Sequence, residues 1–331
     1  MTTPTQNNPV HPARTGSDLT ALHISAAVKE AEFKIIERRQ GIDTGLKTRW
    51  LRLNGYIGGG LQWASNYLIA SITGGGKSAI ANIVESDLID LNPKEKIIVL
   101  DFNMEMPSYR QVLRKISSRV NIPVNTLLSA AEPLEERILD SLISHYEKIK
   151  DYPIYYFDTA GTVKQIYTTV KSWVRANPGY KFVCIYDHSR LVNPEGENDE
   201  LSRTTRLALA TMKLKKETGC INIVLSQLNR NIESPVRIAN PLLHRPTRSD
   251  IFGSDAMYQC ADVVFFPHRP EILGIEFYTQ NKIATRKAIF WQIDKNRDGP
   301  IGTIKMRHNL AINAIEELPY NDNAALQLNL E

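Results

Sequence analysis

The stretch from Tyr67 to Ser86, YLIASITGGGKSAIANIVES, sets three glycines and a Lys-Ser pair between an apolar run and a helical pattern. Gly74, Gly75 and Gly76 let successive backbone N–H groups turn inward around an anion. The helix that follows adds the positive end of its dipole. Lys77 offers a cation that can reach the outer phosphates of a nucleotide, and Ser78 a hydroxyl for a hard divalent ion. Thr73 and Ala79 complete the cradle. The spacing is that of a phosphate-binding loop, G-x-x-x-x-G-K-[ST], except that Ser71 stands in the first place instead of glycine. That place closes the loop, so a small residue suffices. A glycine-rich turn with no ligand has the same composition. The strand–loop–helix order is what favours phosphate, and with it ATP or another NTP and Mg²⁺ as the groups to be held.

Ligands of open α/β sheets sit at the carboxyl ends of strands, so polar residues at other strand ends are the next candidates. FVCIYD ends in Asp187, a carboxylate suited to Mg²⁺, held through a water. VLDFNMEMP carries Glu105 just past a strand end, where a carboxylate can polarise an attacking water. IVLSQL ends in Gln227, placed to feel a γ-phosphate and pass its presence to the next loop.

Positioning these residues takes a particular set of elements. Strands are expected at 66–71, 96–103, 154–159, 181–187, 221–227 and 261–267, most of them apolar throughout, as strands covered on both faces must be. Helices are expected at 77–91, 107–119, 133–149, 163–176 and 198–218. The sum is an α/β fold with a mostly parallel, doubly wound sheet. KAIFWQIDKNRDGPIGTIKMRHN (287–309) reads as two strands around a tight turn, an antiparallel hairpin extending that sheet. Ahead of it, 17–40 reads as a helix capped by Ser17 or Asp18, with Arg38 and Arg39 in its last turn and Gly41 beyond. The expected organisation is a disordered tail (1–16), this helix, one domain (41–318) and a second tail (319–331).

Composition sets outer limits. A net charge of +4 over 331 residues allows nucleic acid without demanding it, so any basic surface must be local. Cys184, Cys220 and Cys260 have no metal-ligand spacing and read as free thiols. The N-terminus lacks the apolar core of a secretory signal and no run has the length of a membrane span, which points to a soluble, cytoplasmic protein with no membrane partner.

Taken together and in order, GGGKS, NMEMP, CIYDHSRL, IVLSQLNR and DKNRDGPIGT resemble the RecA-like motor domain of DnaB-type hexameric replicative helicases, over roughly residues 17–316. The segment from Tyr186 to Gly219 is also similar to the ring helicases of phage primase–helicase proteins. The resemblance implies a RecA-like P-loop NTPase fold. It makes Glu105 the catalytic glutamate, and Lys295 and Arg297 a basic pair reaching into the neighbouring subunit's nucleotide site, with Arg297 as arginine finger. It implies a homo-oligomer, a ring of six, in which helix 17–40 docks on the adjacent subunit. It implies single-stranded and forked DNA as the substrate, 5′→3′ movement, and a primase or loader as possible partners. Backbone-tracking DNA contacts would come from Arg230, Arg237, Arg245 and Arg248, with Phe252, Gly253 and Ser254 standing where relatives place Arg-Glu-Ser-Gly. The usual arginine is absent there. No helical N-terminal domain, primase or zinc module occurs in the 331 residues, which fits a minimal phage or plasmid helicase or a truncated chain. A RecA-like recombinase and a non-translocating, ATP-switched DNA-binding or loader ring are the alternatives.

Overall fold

The structure, a computed structural model, describes residues 21–42, 44–131, 134–187, 192–193, 200–240, 243–253, 255–278 and 283–318. They divide into two units between Thr44 and Gly45.

Among the described residues the first unit holds one helix, α1 (Ile24–Arg39). It begins later than its sequence pattern predicts. Ser17 and Asp18 lie outside the described residues, residues 21–23 are not helical, and the cap is His23, whose Nδ1 accepts the Ser25 N–H at 3.2 Å. Its end is as read, with Arg38 and Arg39 in the last turn and Gly41 at φ +72°. Val28, Phe33 and Ile35 are each more than half exposed.

Among the described residues the second unit is built on eleven strands: β1 (Asn66–Ser71), β2 (Ile97–Asn103), β3 (Ile154–Tyr156), β4 (Lys181–Asp187), β5 (Ile221–Gln227), β6 (Val263–His268), β7 (Phe277–Tyr278), β8 (Ile283–Ala284), β9 (Ala288–Asn296), β10 (Gly302–Asn309) and β11 (Ala314–Glu317). Nine of them form one sheet in the order β11-β10-β9-β6-β1-β5-β4-β2-β3, and β7 and β8 pair apart. From β6 to β3 the neighbours run parallel. β9, β10 and β11 add antiparallel at the other edge.

Continuous apolar strands are explained by what covers each face. Tyr67 and Ile69 of β1 enter one core, with α2 (Leu51–Tyr56) and α3 (Lys77–Asp90). Leu68 and Ala70 enter another, with α7 (Val163–Ala176), α8 (Glu200–Thr218) and α10 (Asp255–Cys260). Burial on both sides removes any polar face from the strand. Shorter helices α5 (Val124–Leu127) and α9 (Pro235–Ile238) and the longer α4 (Ser108–Val120) and α6 (Glu136–Ile149) complete the unit. All three thiols are free.

Within the nine-stranded sheet, two features differ from the sequence reading. β3 stops at Tyr156, three residues short of the expected end. β11 has no counterpart in it. This strand is held from outside: the Trp50 indole donates to the Ile315 carbonyl at 3.0 Å, and the Glu317 carboxylate accepts the Arg52 N–H at 2.9 Å. β9 also carries a bulge. Val264 faces Lys295 but Phe265 faces Ile293, so Asp294 is an extra residue in the ladder.

Candidate nucleotide and DNA site

The phosphate-loop sequence leaves β1 at Ser71 and enters α3 at Lys77. Gly76 caps α3 at φ +99°, a left-handed conformation in which a side chain is strained. Gly75 is required for a different reason: a Cβ there would lie 1.8 Å from Ser71 Oγ. The loop therefore closes directly over Ser71, whose hydroxyl donates to the Pro267 carbonyl at the end of β6. Serine in the glycine place is accommodated by the glycine above it. The loop is held from the side as well, since Arg269 donates to the Gly74 carbonyl at 2.6 Å and pairs with Glu271.

Lys77 is buried, and its ammonium donates to the Ser71 and Ile72 carbonyls at 2.8 and 3.0 Å. Burial pulls its pKa down to about 8, against the pull of Asp187 and Glu105. Asp187, at the end of β4, is buried too. Burial pushes its carboxyl up to about 6, while a hydrogen bond from Ser78 and the charge of Lys77 work the other way. Asp187 Oδ1 is enclosed and has no hydrogen-bond partner. An orphaned carboxylate oxygen beside a serine hydroxyl is a hard-donor pair, and it fits Mg²⁺, which takes one or two protein oxygens and draws the rest from phosphates and water. Among the described residues no group of three or more His, Cys, Asp or Glu could hold a metal ion unaided.

Thr73, Gly74, Gly76, Lys77, Ser78, Ala79, Glu105 and Gln227 line one cavity of about 220 Å³, at the carboxyl ends of the parallel strands. Glu105 is aimed there by the turn after β2, where the Met104 N–H donates to the Asp187 carbonyl at 2.9 Å and the Met106 N–H to Asn103 Oδ1 at 3.1 Å. Three lining residues carry no sequence signal: Arg114, Leu310 and Asn313. Arg114 reaches in from the second turn of α4. Burial lowers its pKa while Asp187 and Glu105 raise it. Its proximity to both carboxylates depends on how α4 packs. Leu310 and Asn313 come from the turn before the unforeseen β11, and Asn313 is fixed by donating to Asn82 Oδ1 of α3 at 2.9 Å.

Gln227 connects this cavity to the polar segment that follows. Its carbonyl accepts the Phe252 N–H at 2.9 Å, Leu228 bridges Ile251, and the Asn229 N–H donates to the Asp250 carbonyl at 2.7 Å. The arginines of that segment differ in what they do. Arg230 is exposed. Arg237 is engaged inside the loop, forked onto the fully buried Asp250 and donating to the Leu243 and Arg245 carbonyls at 2.8 Å each. Arg245 lies on the Tyr278 ring and donates to its hydroxyl at 3.1 Å. Arg248 forks onto Asp255 over the Tyr258 ring, half exposed. Phe252 is half-buried, and Gly253 is pressed against Thr204 of α8. Ser254 lies outside the described residues.

Lys295 and Arg297 are absent from the cavity lining. Before the bulge, Ile289, Trp291 and Ile293 point into the core that holds α3. After it, Lys295 donates to the Tyr258 and Gln259 carbonyls of α10, at 2.8 and 3.1 Å, on the opposite face. One extra residue inverts which face the following side chains take. Because β9 is antiparallel, its end lies at the start of β6: the Arg297 N–H donates to the Asp262 carbonyl at 2.9 Å, level with Asn66 at the start of β1. The phosphate loop is at the far end of β1, five residues on, so the backbone of Arg297 lies about 17 Å from it along the strands, while Lys295, paired with Val264 and level with Leu68, is about 10 Å away on the opposite face.

An open, mostly parallel α/β sheet with a glycine-rich phosphate loop at its strand ends defines a nucleotide-binding protein of the P-loop class. Residues 45–317 match the family model for the DnaB-like helicase C terminal domain, and the chain belongs to that family. It is 28% identical over 284 residues to the replicative DNA helicase DnaB of Mycoplasma genitalium, a match covering 84% of this chain and 57% of that protein. With the DnaB of Haemophilus influenzae the identity is 26% over 298 residues, 87% of this chain and 59% of the relative. The chain thus spans less than two thirds of the length of these relatives. Among solved structures, an isolated ATPase domain superposes with a TM-score of 0.75 at 22% identity, covering 88% of this chain and 99% of that one. A DnaB-like replicative helicase, solved for its interactions with primase, gives 0.75 and 22% over 92% of this chain and 69% of that one. Both show the same fold.

Proposed function

We propose that this chain is the motor of an ATP-driven ring helicase that moves on single-stranded DNA and unwinds duplex at a fork. The observation that carries the reading is the position of Arg297 at the end of the sheet opposite the phosphate loop, with Lys295 turned to the face away from it. A basic pair that cannot reach its own cradle can complete that of another copy. Subunits would then assemble head to tail, and such an assembly closes into a ring when the rotation permits, here a ring of six.

In this reading the loop N–H groups and Lys77 bind the phosphates of ATP or another NTP. Ser78 and Asp187 hold Mg²⁺, which would neutralise charge on the β- and γ-phosphate oxygens. Glu105 orients and polarises the attacking water. Arg297 of the adjacent subunit, supported by Lys295, faces the charge that develops on the transferred group, a contribution of about 10³- to 10⁵-fold where such fingers occur. Gln227 links the state of the γ-phosphate to the segment 228–252 through the backbone bonds that close on it. That segment, with Arg230 foremost and Arg245, Arg248, Phe252 and Gly253 behind it, faces the DNA strand. The helix α1 docks on the neighbouring subunit.

Measuring ATP hydrolysis and fork unwinding with and without single-stranded DNA tests this directly. Wild type should be stimulated by DNA and should unwind, and Arg297→Ala should lose hydrolysis. Rings mixed from Arg297→Ala and Lys77→Ala subunits should recover part of it, because one seam can combine an intact loop with an intact finger. Hydrolysis by Arg297→Ala at the wild-type rate would overturn the shared site. DNA-indifferent hydrolysis without unwinding would favour a non-translocating ring.

A further inference from the structure

Arg297 is the end of a long, half-exposed side chain, and a finger with free rotamers would lose much of its effect to disorder. What restrains it is Asp262, the residue just before β6. The Asp262 carbonyl accepts the Arg297 N–H at 2.9 Å, and Asp262 Oδ1 pairs with Arg297 Nη1 at 3.1 Å. One residue therefore holds both the root and the tip of the side chain.

The carboxylate is itself immobile. Its Oδ2 accepts the Asn66 N–H at 2.8 Å and the ammonium of Lys215, on α8, and the Asp262 N–H returns a bond to the Asn66 carbonyl at 2.8 Å. The Asp262 side chain is 10% exposed and that of Arg297 55%, so the pair spans the boundary between core and surface. A carboxylate anchored on two sides from within cannot follow the guanidinium outward. A guanidinium is a planar fork of N–H groups, so a contact at Nη1 restrains its direction and leaves other N–H groups for a phosphate.

We propose that Asp262 is the positioning residue of the arginine finger, setting the direction in which Arg297 leaves the protomer toward the neighbouring copy's phosphate loop. Asn66 holds the carboxylate from behind through its backbone N–H, and Lys215 balances its buried charge. The inference rests on the shared-site reading above and adds to it the residue on which that site's geometry depends.

Asp262→Asn alone would leave Lys215 buried without its partner, so the informative variant is Lys215→Met/Asp262→Asn, compared with Lys215→Met and Arg297→Ala. Folding is checked by circular dichroism, and the phosphate loop by binding of a fluorescent ATP analogue. The double variant should bind the analogue as wild type does and keep its KM. Its kcat should fall about ten- to a hundredfold, the cost of a misplaced catalytic group. Lys215→Met, which keeps the carboxylate, should retain kcat within a factor of about three of wild type. Mixing the double variant with Lys77→Ala subunits should restore hydrolysis, because those subunits bring a correctly held finger; mixing it with Arg297→Ala should not. A folded double variant with wild-type kcat, beside an inactive Arg297→Ala, overturns the role of Asp262 and leaves the shared site standing. Equal losses in Lys215→Met and the double variant make the cluster merely structural and also overturn it. Wild-type hydrolysis by Arg297→Ala removes the shared site and this inference with it.

Discussion

Ser71 and Gly75 form a matched pair. With serine at the place usually given to glycine, the space above its hydroxyl must be empty, and Gly75 is the residue that leaves it so. Gly75→Ala should therefore weaken binding of a fluorescent ATP analogue by at least about tenfold, equivalent to about 1.4 kcal/mol. Adding Ser71→Gly should recover part of the loss, although the Ile72 carbonyl, 3.1 Å from the same Cβ, remains. An unchanged affinity for Gly75→Ala would show that the loop opens at no cost. Residues of this kind are legible in sequence because they are consecutive: backbone geometry fixes their relative positions once strand and helix are recognised. Glu105, Asp187 and Gln227 were legible for a related reason, since each ends or just follows a strand. Arg114 was not, because nothing local distinguishes it from the other cations of SYRQVLRKISSRV.

At the level of elements, the segment expected to meet DNA is seated on β6 through a buried pair of imidazoles. His244 Nδ1 and His268 Nε2 are 3.1 Å apart, with Tyr278 packed against both rings. Burial, with Arg245 adding to it, pulls His244 down to about 4. Burial and then His244 hold His268 well below the ordinary 6.5. Both are thus neutral in the fold and gain protons on unfolding. Their contribution to stability is complete above about pH 6.5 and is lost as pH falls toward 4. The urea midpoint should drop between pH 7 and 4.5, and less steeply in His268→Gln. Parallel curves for the two proteins would dismiss the pair as a source of acid lability. The same elements show where sequence patterns mislead. Arg237 has the charge of a phosphate ligand but is consumed by Asp250, and that pairing exists only after the loop has folded back. β11 is four residues whose pattern is too short to read, and it becomes a strand because β10 offers a free edge and Trp50 and Glu317 tie it down.

At the scale of the whole molecule, the cradle and the finger belong to different copies in the proposed ring, so hydrolysis per chain should depend on concentration. Dilution through the range where rings dissociate should lower the specific ATPase, and excess single-stranded DNA should delay the fall by linkage to the assembled state. Phe33→Asp, on the exposed side of α1, should shift the assembly to smaller species by light scattering while the unfolding midpoint stays put. A specific activity independent of concentration would remove the premise. Among the described residues no helix is long and apolar enough to cross a membrane.

The order of apolar strands, the glycine loop and the acids at strand ends determined the fold class and most of the lining of the candidate cavity. These signals are local: period, contiguity and strand termini are properties of short segments. The tertiary structure alone decided that Arg114 joins the carboxylates, that Arg237 is spent internally, that one extra residue in β9 turns Lys295 and Arg297 to the other face, and that the pairing of β9 with β6 sets Arg297 at the other end of the sheet. Each of those depends on which distant segments become neighbours, and that is fixed only when the two cores on either side of the sheet are packed together.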